Sequence, residues 1–339
     1  MGKMMKVMFR RHRPVLLLLL GVMLVIWGVS FAEAVSSYHE IDHFTPTTVA
    51  EYKRDNPGVT TAEAKREIPK MRKASLSYYP QSTIDKLGWA PTGNFVQSVD
   101  PVWLIAVVVV GLICTGWDSL SGFDRFLFGL GRRKDAYWSR LSVYGGAVAL
   151  FTLVRYALDM VGMPLAVGAT YDEMTLFSGV ALIGLNELYA LSCFLFAAVV
   201  AQLFGNFVAI VCAPPLLLLL GLGAFARVDH WLVQLGLGPG GERFFLYMLL
   251  VVVCGILLWL GERLYRSRSA EFDGHFLTTP RLYWPLFGLS WVAFILALLD
   301  SLSWTRWGLL VPLLLLVAGI VFGMRGRLHG RFGRWLARI

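Results

Sequence analysis

Long apolar runs constrain this chain more than any other feature, because a helix needs roughly 20 consecutive apolar residues to cross a hydrocarbon core about 30 Å thick. Backbone in lipid must satisfy its own hydrogen bonds, and uninterrupted runs of that length do so as helices. Eight candidate spans follow, at about 14–34, 101–117, 139–162, 178–203, 207–225, 243–262, 282–299 and 307–324. A composition of 57% hydrophobic against 16% charged residues excludes a soluble enzyme or a peripheral protein. The first candidate has the basic leader of a signal peptide, but its run from Val15 to Val35 is long enough to stay as an anchor. Pro214-Pro215 predicts a kink or break in the fifth.

Lys and Arg set the orientation. They crowd the 1–13 leader (Lys3, Lys6, Arg10, Arg11, Arg13), the 118–140 segment (Arg125, Arg132, Arg133, Lys134, Arg140), the 262–281 segment (Arg263, Arg266, Arg268, Arg281) and the 325–339 tail (Arg325, Arg327, Arg331, Arg334, Arg338). The short loops assigned to the other side hold only Arg227, Arg243 and Arg306. Positive charge stays inside, so both termini are expected in the cytoplasm, with an even number of spans. The expectation is an all-α polytopic protein of a bacterial plasma membrane, with about eight transmembrane helices: a 14–34 anchor, then a 101–324 transmembrane domain. The same placement explains the net charge of +9 without nucleic acid.

The stretch 35–100 is then a long extracytoplasmic loop after the first span. Thr48 with Glu51 and Thr60 with Glu63 predict two capping-box helices, the first ended by Asn56-Pro57-Gly58 and the second by Pro69. Too few apolar residues are present for a large core, so a small, partly helical outer domain should pack on the membrane helices or on a partner.

Reactive groups are sparse. Cys114, Cys193, Cys212 and Cys254 lie in apolar stretches without metal-ligand spacing and read as buried thiols. No histidine joins a cluster: His12 is in the leader, His39 and His43 in the outer loop, and His230, His275 and His329 in turns or tails. His39 and His43 would share a face if helical, as in a metal site, yet no helix signal lies nearby and a solvated loop is expected. Charges inside spans are costly unless paired or wetted. Arg155 and Asp159 share a face of the third span, and Asn186 and Glu187 lie at matching depth in the fourth. These residues form either a polar patch in a substrate path or an Arg155–Glu187 ion pair locking two helices.

Between the second and third spans, Phe123, Phe126, Leu127 and Leu130 follow the spacing of one helical stripe in a segment too short to cross, 122–134. Gly131-Arg132-Arg133-Lys134 ends it. Such a helix either lies flat on lipid or docks in a groove of a soluble protein.

The segment Gly122 to Leu141, with Phe123, Arg125, Phe126, Leu127, Leu130, Arg132 and Arg133, resembles the loop after the second span of ABC transporter permeases of the exporter-like type-2 class. Gly131 stands about where those permeases carry proline. A second stretch, Tyr265-Arg266-Ser267-Arg268-Ser269-Ala270-Glu271-Phe272-Asp273-Gly274, resembles the Y-x-R-x-x-E-x-x-G run of the eight-span, Ytr-like branch. The resemblance implies a permease dimer, homo- or heteromeric, with two ATP-binding cassette subunits coupled through 122–134, and an unidentified substrate such as an antimicrobial peptide, a lipid or a cell-envelope compound. No G-x-x-x-x-G-K-[ST] loop occurs in this chain, so ATP and Mg are expected in the partner ATPase, with no cofactor and no catalysis here. Rival readings are an ion-coupled secondary transporter, which needs midplane carboxylates and paired broken helices, a polytopic membrane enzyme, which needs a histidine or carboxylate cluster, and a membrane sensor or scaffold whose outer domain binds a ligand.

Overall fold

The computed structural model describes residues 2–77, 101–121, 123–129, 133–170, 176–204 and 239–268. They fold as helices: α1 (Gly2–Phe44), α2 (Val49–Asp55), α3 (Thr61–Leu76), α4 (Pro101–Leu120), α5 (Phe123–Gly129), α6 (Arg133–Val167), α7 (Leu176–Leu203) and α8 (Pro239–Ser267). By length and composition α1, α6, α7 and α8 can each cross a membrane, and the apolar part of α4, Val102–Asp118, is shorter. The candidate spans at 207–225, 282–299 and 307–324, Pro214-Pro215 and the 325–339 tail lie outside the described residues.

Side chains on α7 and α4 pack most closely through small residues. A Cβ on Gly111 would lie 2.6 Å from the Phe194 carbonyl oxygen and 2.8 Å from Ala197 Cβ, so the two backbones touch there. Gly111→Leu should therefore destabilise by about 1–3 kcal/mol or more, since backbone cannot yield as a side chain can. Gly146→Leu, where nothing lies within 4 Å of the added Cβ, is the control, and equal melting temperatures for the two variants would contradict this packing. Around that contact the core joins Leu16, Leu19 and Met23 of α1, Trp103, Val107 and Val110 of α4, Tyr144 and Val148 of α6, and Ala190 and Phe194 of α7. Apolar side chains on other faces, such as Leu18, Val25, Ile105 and Trp259, are exposed, as lipid-facing residues are.

The first helix is not divided as expected. A leader, a 14–34 span and a loop from residue 35 become one 43-residue helix that runs through Pro14 and past His39 and His43. Pro14 forfeits one helical hydrogen bond, but Met8, Leu16, Leu19 and Met23 are buried on either side of it and hold both halves to the bundle. His39 and His43 are thus helical and exposed, and among the described residues no three His, Cys, Asp or Glu side chains group to hold a metal.

Both capping boxes form. Thr48 Oγ1 accepts from the Glu51 N–H at 3.2 Å while Glu51 Oε2 accepts from the Thr48 N–H at 3.1 Å, and Thr60 and Glu63 repeat the exchange at 3.3 and 2.9 Å. Asn56 ends α2, its N–H donating to the Tyr52 carbonyl, and Gly58 takes φ +106° in the turn that follows. Pro69, however, does not end α3, which continues to Leu76. Tertiary contacts override the proline: Leu76 is fully buried with Ala34, Tyr38, Met163 and Leu182, and Arg72 pairs with Asp42 and donates to the Thr45 carbonyl at 3.2 Å.

The N–H donors of Thr47 and Thr48 hold the Glu51 carboxyl below its ordinary value, and those of Thr60 do the same for Glu63. A depressed carboxylate contributes stability that is present above its unfolded value and lost as pH falls through the folded one. Acidification should therefore fray the starts of α2 and α3 before the membrane helices, seen as faster amide hydrogen exchange over residues 48–64. Glu51→Gln with Glu63→Gln should flatten that response; a response unchanged in this double variant would assign the acid lability elsewhere.

Candidate functional site

Two aspartates flank the turn between α4 and α5, and both side chains are wholly buried. Asp118, in the last turn of α4, accepts from Arg11 Nε at 3.1 Å through Oδ1, while its Oδ2 meets His12 Nε2 and Arg140 Nη2, each at 3.1 Å. Asp124, in the first turn of α5, accepts from the same Arg140 Nη2, from the Tyr265 hydroxyl at 2.9 Å and from Arg268 Nη1 at 3.4 Å. One guanidinium nitrogen on α6 thus bridges both sides of the α4–α5 turn. Arg11 and His12 hold one end from α1, and Tyr265 and Arg268 hold the other from the end of α8. Charge pairs are retained out of water only when geometry and hydrogen bonds compensate desolvation, and here Arg140 and Arg268 are 2% and 1% exposed.

The surroundings fix the helix ends. Arg133 Nη1 donates to the carbonyls of Arg266 and Arg268 at 2.9 Å each, capping α8 where its carbonyls have no helical partner. The Tyr137 hydroxyl donates to the Leu258 carbonyl at 3.2 Å, in space left by Gly261, whose Cβ would clash with that hydroxyl. Trp138 Nε1 donates to Glu262 Oε2 at 2.9 Å. Arg11 also donates to Ser121 Oγ at 2.9 Å, and its guanidinium lies 4.1 Å from the centre of the Phe123 ring.

The apolar stripe of α5 is split rather than presented whole. Leu127 is 2% exposed, packed with Met8, Ala136, Tyr137 and Tyr265, whereas Phe126 is 61% exposed and stacks on half-buried Phe123. Asp124 and Leu127, three residues apart and therefore on one face, anchor the helix to its own chain. Arg125 lies within α5; Leu130, Arg132, Glu271 and Gly274 lie outside the described residues.

Within the bundle, Arg155, Asp159 and Asn186 are buried. Trp27 Nε1 donates to Asp159 Oδ1 at 2.8 Å, the Tyr156 hydroxyl donates to Asn186 Oδ1 at 2.7 Å, and Asn186 Nδ2 donates to the Leu182 carbonyl at 2.9 Å. The Arg155 guanidinium lies 5.6 Å from the Tyr156 ring centre. The Arg155–Glu187 pair, one of the two arrangements the sequence leaves open, is not among these bonds, and Glu187 Oε2 is buried with no hydrogen-bond partner.

Sequence reasoning set His12 aside as a leader residue and took Arg140 only as a topology charge. The missed signal is compositional: Asp118 and Asp124 are the only acids between residues 101 and 134, and no acid precedes Glu33, so two carboxylates stand among many bases.

A scan against protein-family models matches none, and searches of the curated proteins and of the solved structures return no match. Fold and site define the class: among the described residues, helices suited to a membrane with a buried ionic network joining five of them.

Proposed function

We propose that this chain is the membrane-spanning subunit of an ATP-driven transporter of the exporter-like ABC type, with eight spans and both termini in the cytoplasm of a bacterial plasma membrane. One observation carries the reading: the two stretches that resemble such permeases, far apart in sequence, meet at one point. Asp124 accepts from Tyr265 and Arg268, and Arg133 caps the carbonyls of Arg266 and Arg268. A coupling element needs a firm seat on the spans and an exposed anchor for its motor; Asp124 and Leu127 supply the seat and Phe126 the anchor. Aromatic side chains at the centre of a contact contribute disproportionately to docking.

In this mechanism a separate ATPase binds ATP and Mg and closes against Phe126, and α5 passes the displacement through Arg140 to α1, α4, α6 and α8. The substrate class is an envelope compound, a lipid or a peptide, moved by a dimer of permeases. Purification from the native membrane in mild detergent should yield a stoichiometric ATP-binding subunit and ATP hydrolysis. A monodisperse chain that never retains an ATPase, at low as well as high salt, would overturn the assignment.

A further inference from the structure

We propose that α1, continuous through Pro14 and braced against the bundle on both sides of it, carries the position of the 45–77 segment across the membrane to the Asp118–Arg140–Asp124 network, giving the chain a transmembrane signalling function that does not rest on the transporter reading. At ~1.5 Å per residue a 43-residue helix is about 65 Å long, twice the hydrocarbon thickness, so α1 reaches well beyond both faces. Each end is clamped. Near its C-terminal end, Asp42 pairs with Arg72 of α3, and Ala34 and Tyr38 pack on Leu76. Near its N-terminal end, Arg11 and His12 bind Asp118. Between the clamps one slowly winding stripe stays engaged: Leu16, Leu19 and Met23 in the core, Trp27 on Asp159, and Phe31 against Gly162, where a Cβ would come within 2.9 Å of the ring.

A rod transmits only if what it touches has two arrangements. The network supplies them. Asp118 draws on the guanidinium groups of Arg11 and Arg140 and on the ring Nε2 of His12, and Arg140 is itself shared with Asp124. Sliding or turning α1 withdraws Arg11 and His12 from Asp118, so Arg140 must shift toward that carboxylate and loosen its hold on α5. Pulling α3 away from Asp42 is the corresponding input, about 45 Å along the helix from Arg11.

The test uses the full chain in lipid nanodiscs, with Cys114, Cys193, Cys212 and Cys254 replaced and nitroxides on Arg10→Cys and Phe126→Cys, both exposed positions. Releasing the far clamp by Arg72→Ala, or reversing it by Asp42→Lys, should shift or broaden the Arg10–Phe126 distance distribution beyond its parent width. Lys70→Ala removes an exposed pair with Glu67 on the same helix, outside the clamp, and should leave it unchanged. An unchanged distribution in both clamp variants overturns the proposal, and so does an equal change in the Lys70 control. Neither outcome depends on an ATPase, so failure here is distinct from failure of the transporter reading.

Discussion

Replacing Asp124 by Ala should cost about 3–5 kcal/mol of stability, because breaking a buried pair leaves its partners uncompensated. Arg140, Tyr265 and Arg268 all converge on this carboxylate, and none of the three is more than 2% exposed. Asp118 remains within reach of Arg140, so the loss should fall short of unfolding, and Asp124→Asn, which keeps an acceptor for the Tyr265 hydroxyl, should be milder than Asp124→Ala. Chemical unfolding in detergent measures the order. An Asp124→Ala protein as stable as the parent would mean that Asp118 alone satisfies Arg140 and that the α5 seat is not electrostatic.

A second large effect separates two neighbours that the apolar pattern treats alike. Leu127→Ala should destabilise by about 2–5 kcal/mol, since it opens a cavity among Met8, Ala136, Tyr137 and Tyr265. Phe126→Ser should leave stability nearly unchanged, because that ring is 61% exposed in the isolated chain. If an ATPase docks there, the same change removes roughly 1.5–3 kcal/mol of burial, a tenfold to hundredfold weaker complex. Stability by thermal unfolding and partner retention by co-purification should thus respond to different residues. A Phe126→Ser protein that keeps a full complement of ATPase would place the motor contact elsewhere, and a Leu127→Ala protein of parental stability would contradict the packing of α5.

The signals that were legible in sequence are local. Thr48 with Glu51 and Thr60 with Glu63 announce helix starts through bonds spanning three residues, and both formed. Apolar runs announced α4, α6, α7 and α8 because chain length in lipid leaves little choice of conformation. Helix ends were less legible: Pro69 argued for a stop that Leu76 and Arg72 overrule from outside the helix, and nothing near residue 35 revealed that α1 continues to Phe44. Propensity is a weak prior where buried contacts lie beyond the proline.

By itself the sequence determined the bilayer-length apolar helices seen among the described residues, and the segments on which its cations gather, because hydrophobic length and charge placement are properties of the chain in order. Only the tertiary structure decided which cations meet which carboxylates. His12, Asp118, Asp124, Arg140 and Tyr265 come from five helices, and pairing among groups 16 to 141 residues apart depends on how those helices cross rather than on spacing. The same is true of Leu127 and Phe126, adjacent in sequence, one sealed by α1, α6 and α8 and the other left exposed.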